Sequence, residues 1–203
     1  MKSTTLLSTL MVGLCASANA ALTYTGGSAA IPDGNLSGWS STISLPGVSG
    51  TPSISDVQVT LNISGGYNGD LYAYLSYDGR LITLLNRIGA DSGNPFGSAG
   101  AGMDVTLADG HINIHSAGGE PIGTYAADGA GTFATTFGGV PLDPGKPWTL
   151  FIADVSSGGG ITPSTLNSWS LTVTTAVPEP STWLGGLGAL AMLGTVFVRR
   201  RVA

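Results

Sequence analysis

A chain of 203 residues sets one domain, or two at most. Gly supplies 32 residues, about twice its usual share, and charged residues only 9%. That composition is poor in helix formers and suits short strands joined by tight turns. Between residues 21 and 176 three basic residues stand against eleven acidic ones, a net charge of −8, which excludes nucleic acid as a partner because phosphate binding needs clustered Lys and Arg.

Residues 1–20 have the order of a signal peptide: Lys2 as the positive head, Leu6 to Leu14 as a short apolar run, and Ala18-Asn19-Ala20 as the small-x-small site of cleavage after Ala20. The apolar run is too short to span a bilayer. Cys15 is the chain's one cysteine and lies in this segment, so residues 21–176 have no disulfide framework. Leu14, just before Cys15, is too large for a lipoprotein site.

Alternation of period two marks the strands that follow. Val57, Val59, Leu61 and Ile63 share one face, with Gln58, Thr60 and Asn62 on the other. Leu71, Ala73 and Leu75 oppose Tyr72, Tyr74 and Ser76; Trp148, Leu150 and Ile152 form another face; Trp169, Leu171 and Val173 oppose Ser170, Thr172 and Thr174. Turn signals separate them, among them Asp78-Gly79, Asp109-Gly110, Pro144-Gly145 and Gly158-Gly159-Gly160. Asp78-Gly79 between two strand patterns predicts a hairpin. No helical period appears between residues 21 and 176. The expected fold is an all-β, antiparallel, jelly-roll-like β-sandwich, flanked by the signal peptide and a C-terminal membrane helix.

The only histidines, His111 and His115, have the i, i+4 spacing of a helical metal pair, but Ile112 and Ile114 alternate with them. The pattern predicts a strand with both histidines exposed. No nucleophile elbow or phosphate loop occurs in its required context, and the chain is not expected to be an enzyme. Tyr72 and Tyr74 are candidate binding residues. If their face is outermost it is an aromatic strip able to stack on sugars or a partner; if another strand covers it, they are core.

The C-terminus places Val177-Pro178-Glu179-Pro180-Ser181 before an apolar run, Thr182 to Val198, and then Arg199-Arg200-Arg201. Seventeen helical residues cover about 26 Å, and Trp183 with the arginines extends the reach to the membrane interfaces. The arginines should stay cytoplasmic, leaving residues 21–181 outside. With all three parts in order, residues 177–203 resemble the PEP-CTERM sorting tail, whose sorting motif here is Pro178, Glu179 and Pro180. The resemblance implies a Gram-negative bacterium that makes extracellular polysaccharide, an inner-membrane anchor of short duration, and processing by an exosortase after signal peptidase has acted.

Residues 31–174 resemble the P domain that follows the catalytic domain of subtilisin-like proprotein convertases. The likeness rests on Ile31-Pro32-Asp33-Gly34, on Ile54 to Ile63, on Gly69-Asp70-Leu71-Tyr72-Ala73-Tyr74-Leu75, on Leu81 to Leu85, and most specifically on Trp148 to Asp154 followed by Leu166 to Val173. It implies a jelly-roll sandwich, though no protease domain is present. Several P domains bind calcium, so the resemblance admits Ca²⁺ as a cofactor. Candidate ligands are Asp70, Asp104, Asp109 and Asp154, at strand ends and Gly-rich turns that can converge on one rim.

Three functions follow as expectations. The first is a non-catalytic exported surface or extracellular-matrix protein. The second is a carbohydrate- or protein-binding module. The third is an orphan accessory domain of a secreted subtilisin-like protease. The export signals make one direct prediction: protein recovered outside the cell begins at Ala21 by mass spectrometry. An intact Met1, or lipid on Cys15, would overturn it.

Overall fold

The computed structural model describes residues 19–45 and 50–176, and residues Asn19–Ala176 form one compact unit. Within the described residues ten strands make two facing sheets. They are β1 (Asn19–Gly26), β2 (Ala29–Ala30), β3 (Trp39–Ile43), β4 (Ser53–Ser64), β5 (Leu71–Tyr77), β6 (Arg80–Asn86), β7 (Gly102–Leu107), β8 (Ile122–Tyr125), β9 (Trp148–Asp154) and β10 (Thr165–Ala176). The larger sheet runs β1-β10-β4-β7-β8, with β2 also on β10; the smaller runs β3-β9-β5-β6. Among the described residues the one α-helix, α1 (Phe133–Phe137), is capped by Thr132.

The alternation read from the sequence is the alternation of burial. Val57, Val59, Leu61 and Ile63 on β4, Leu71, Ala73 and Leu75 on β5, Leu150 and Ile152 on β9, and Leu171 and Val173 on β10 all face the shared core. Outward positions carry hydroxyl pairs across strands, such as Thr23 with Thr172 at 2.9 Å and Thr60 with Thr106 at 3.0 Å. Asp78-Gly79 forms the β5–β6 hairpin, with both residues at positive φ as that two-residue turn demands.

Two features depart from the sequence expectation. All named pairings are antiparallel except β7 with β8, where Asp104 to Leu107 run parallel to Ile122 to Tyr125. Residues 108–121 form the connection, long enough for the crossover a parallel pair requires. The second departure is at the histidines. Asn113 accepts a 2.7 Å bond from the His115 amide and opens a 3-10 turn over Ile114–Ser116, so no regular strand runs from His111 to His115. Ile114 is buried while Ile112 is 75% exposed, so the two isoleucines share no face.

β10 fixes where the ends of the domain lie. Asn19 pairs with Ala176 and Ser53 with Ala176, so the first and last described residues leave the larger sheet side by side. β1 thus starts two residues ahead of the predicted cut after Ala20. At the other end of β10, roughly 35–40 Å away for a strand of this length, Leu166 pairs with Ile63 beside the entry to β5 and the exit of β9. The end at Asn19 and Ala176 is the terminal pole, and the end at Leu166 is the acid pole.

The terminal pole is closed by aromatic stacking. Tyr77 lies on Trp148 with ring centroids 4.3 Å apart, and Phe137 meets Trp148 edge-on at 4.9 Å. The Tyr77 hydroxyl accepts from the Asp143 amide at 2.7 Å and donates to the Pro141 carbonyl at 3.2 Å. Removing it leaves a partly buried amide without its acceptor. Tyr77→Phe should therefore cost about 1–3 kcal/mol in urea unfolding. A loss under about 0.5 kcal/mol, within the range of an ordinary surface substitution, would show that the hydroxyl does not hold this corner.

Candidate functional site

The acid pole forms where the chain switches sheets. β4 ends at Ser64, two glycines turn the chain, and Asn68–Asp70 make one buried 3-10 turn before β5 begins. Asn68 is the fastening of this turn. Its side-chain amide donates to Gly102 O at 2.8 Å and to Gly119 O at 2.9 Å, and its carbonyl oxygen accepts from the Gly102 amide at 3.1 Å. A Cβ on Gly69 would lie 2.0 Å from the Phe96 carbonyl oxygen, so only glycine allows the 96–97 segment to close over the turn.

This arrangement buries two carboxylates at neighbouring strand ends. Leu71, the first residue of β5, pairs with Asp154, the last of β9, and the Asp70 carbonyl accepts from the Val155 amide. Asp154 is 2% exposed; it accepts from the hydroxyl of buried Ser164 at 3.2 Å and from the Ser156 amide at 3.4 Å. Asp70, its side chain 5% exposed, has no hydrogen-bond donor among the described residues. Its nearest cation is Arg87, whose Nη2 stands 4.0 Å off. Arg87 directs Nε to Gly69 O at 3.1 Å and Nη2 to Pro95 O at 2.8 Å. Asp33 completes the pole from the loop before β3, accepting from the Gly158 amide at 3.2 Å.

Burial raises both carboxyls above the ordinary range. For Asp70, desolvation leads, Asp154 adds to it, and Arg87 offsets part. For Asp154, desolvation again leads, and the bonds from Ser156 and Ser164 work against it. Two clefts flank the Gly158–Gly160 loop. One of about 210 Å³ has Asp33, Asp154 and Ile161 in its wall. The other, about 240 Å³, joins Asp70 to Tyr67, Phe96 and Ser157.

Of the four aspartates considered for calcium, the structure brings Asp70 and Asp154 together and places the other two elsewhere. Asp104 is exposed on β7, opposite Asn62 on the neighbouring strand. Asp109 accepts from the Phe133 and Ala134 amides at 2.9 and 2.8 Å, holding the start of α1. Among the described residues no three Asp, Glu, His or Cys side chains converge as a metal-binding group. Tyr72 and Tyr74 lie half-buried on the outer face of the smaller sheet. Tyr74 stacks on Phe151 at 4.8 Å and 16°, and Tyr72 meets Tyr74 at 64°. Tyr74 and Phe151 thus turn ring faces toward each other across two strands. Ala20 lies in β1, whereas Pro178, Glu179 and Pro180, with residues 1–18, fall outside the described residues.

Sequence reasoning missed Asn68, Asp33 and Ser164, which position this pole. It also missed the ion pair of His115 with Asp128, whose Nδ1 and Oδ2 are 3.0 Å apart. The other ring nitrogen of His115 lies 3.2 Å from the Ala90 carbonyl oxygen. With an acceptor at each nitrogen, the imidazolium is favoured, and the bond to Asp128 leads in raising the His115 pKa. Asp128 is itself raised, chiefly by burial.

Comparison with known proteins adds a decisive observation at the C-terminus. Residues 176–201 match the family described as the PEP-CTERM protein-sorting motif. The chain carries an export-sorting signal. The motif implies export and handling by an exosortase-type system through a membrane-anchored tail. No curated protein sequence matches the chain. Among solved structures, an Aeromonas sobria serine protease in complex with its chaperone shares 19% identity at a TM-score of 0.46, covering 78% of this chain and 28% of that one. The serine protease of Aeromonas sobria gives 19% and 0.45, over 77% and 27%. FLHE gives 13% and 0.43, over 78% and 98%. The chain thus spans little more than a quarter of the two protease chains. At these scores the likeness says nothing about what the chain does.

The shifted groups fix a pH dependence. The carboxyls of Asp70, Asp128 and Asp154 bind protons more tightly in the folded chain than at their ordinary value of 3.8. Their destabilising effect is complete above the folded values and relieved as pH falls toward 3.8. His115, raised above 6.5, adds stability that is complete below 6.5 and lost as pH rises through its folded value. Both effects have one sign, so the melting temperature should be higher near pH 5 than near pH 8. Asp70→Asn should flatten the acidic part of the curve and leave the protein at least as stable near pH 7. A melting temperature that rises with pH would contradict the assignment.

Proposed function

We propose that the chain is a non-catalytic, exported surface protein of a Gram-negative bacterium. A P-domain-like sandwich is tethered for a time in the inner membrane by Thr182–Val198, cut near Pro178–Pro180 by an exosortase, and delivered to the cell surface or the extracellular matrix. One observation carries this reading: the match to the sorting motif begins at residue 176, where β10 ends. The folded sheet stops where the processing signal starts, so the cut would fall outside the core and leave every strand intact.

A non-catalytic role agrees with the sequence, in which no nucleophile elbow or phosphate loop occurs in its required context. A binding role, for a carbohydrate or a protein such as a secreted subtilisin-like protease, is the second reading. It is favoured by the acid pole, which lies at the end of β10 away from Ala176 and carries exposed apolar side chains at Phe96 and Ile161. For calcium the support is narrower, since only Asp70 and Asp154 of the four proposed ligands meet.

Deleting residues 177–203 tests the main reading. The truncated protein should keep the melting temperature of the exported form but lose its normal destination, and the C-terminus of wild-type exported protein should fall near Pro178–Pro180 by mass spectrometry. Full-length chain persisting in the membrane of growing cells would overturn the processing step.

A further inference from the structure

We propose that the cleft beside Asp70 is a binding site for an organic cation: a primary ammonium on an apolar stem, paired with the Asp70 carboxylate between the rings of Tyr67 and Phe96. This is independent of where the protein is delivered.

The two buried carboxylates at this pole differ in one respect. Asp154 has its donors in Ser164 and Ser156. Asp70 has none among the described residues, although its side chain is 95% buried and borders the cleft. Its cationic neighbour Arg87, at 4.0 Å, gives one hydrogen from Nε to Gly69 O and one from Nη2 to Pro95 O, and stands too far from Asp70 for a direct hydrogen bond. The Asp70 carboxylate is therefore compensated only by a charge standing beyond hydrogen-bond distance, and its oxygens at the cleft are left to a further cation. Its raised proton affinity expresses the same deficit.

The walls of the cleft select the kind of cation. Tyr67 and Phe96 line it with Asp70, and aromatic faces attract ammonium and guanidinium groups. Phe96 is 69% exposed, yet the chain around it is held firmly. The Asp91 carboxylate accepts from the Gly93 and Asn94 amides at 2.7 Å, and the Asn94 side chain donates to Gly97 O at 2.8 Å. The exposed ring is therefore carried on an ordered turn. A hard metal ion needs roughly six to eight oxygen ligands; a cleft lined by Tyr67, Phe96, two serines, a glycine and a single carboxylate is a poor match. At about 240 Å³ it lies below the roughly 300–1,000 Å³ of a drug-sized site, a size for a lysine-length stem. An ammonium of this kind comes either from a free alkylamine or from a lysine side chain on a partner protein.

Isothermal titration of the full-length protein in non-ionic detergent tests the site and its source. The probes are n-pentylammonium, neutral n-pentanol, a capped Gly-Lys-Gly peptide, and the same peptide acetylated on lysine. Pentylammonium should bind and pentanol should not. Binding of the lysine peptide but not its acetylated form assigns the site to a partner's lysine; binding of pentylammonium alone assigns it to a free amine. Asp70→Asn should weaken binding about tenfold or more, as loss of a charged partner does. Phe96→Ala, a change at an exposed side chain, should weaken it about threefold or more. The proposal is overturned if no amine binds, if pentanol binds equally, or if neither substitution changes the affinity. It is also overturned if millimolar calcium binds in an Asp70-dependent way while amines do not, which would make the cleft a metal site.

Discussion

The position of β10 constrains everything else in this domain. It is the last of the described strands and an interior strand of the larger sheet, paired with β1 on one edge and β4 on the other, with β2 also against it. It places Trp169, Leu171 and Val173 in the core. No arrangement of the earlier strands completes this sheet, because the first strand and the fourth are joined only through the tenth. Contacts between chain ends are the slowest kind to form, since the intervening loop must close first. In an exported protein the sheet therefore forms only after about residue 176 has cleared the export channel.

The two poles of the sandwich obey opposite rules. At the terminal pole, stacked rings and satisfied backbone groups close the core, as at Tyr77 and Trp148. At the acid pole, carboxylates are buried ahead of their needs: Asp154 is provided with donors, and Asp70 is not. Buried charge of this kind opposes stability, so the rest of the fold offsets it. Such a residue is better explained by what it meets than by what it supports. Asn68 makes the arrangement hold, because its side chain fastens two loops from beneath and keeps the 3-10 turn in place whether or not Asp70 is satisfied.

Much of the sandwich was legible in the sequence because burial on a strand has period two. The faces of β4, β5, β9 and β10 read correctly from Val57, Leu71, Leu150 and Leu171 and their alternate neighbours, and Asp78-Gly79 marked its hairpin. β1, β3 and β8 carry short or polar patterns whose partners lie far off in the chain, so alternation alone does not announce them. The His111–His115 segment misled for a related reason: two isoleucines two apart imitate a strand, while the Asn113 side chain ends any strand by capping a turn. At the acid pole, Asp70 and Asp154 were visible as strand ends, but their pairing depends on the β5–β9 register. Asp104 and Asp109 looked equivalent to them in sequence; one faces outward and the other caps a helix. Asn68 gave no signal beyond that of a turn residue.

The meeting of Asn19 and Ala176 on one ladder has a consequence for the chain as a connected object. Ends that adjoin can be joined by a short linker, and the ring so formed can be reopened elsewhere without disturbing the pairing of any strand. The glycines at 158–160, exposed between β9 and β10, offer such an opening. The sequence order of the strands would change and β10 would lead the chain. The same sandwich could then nucleate from the strand that now arrives last.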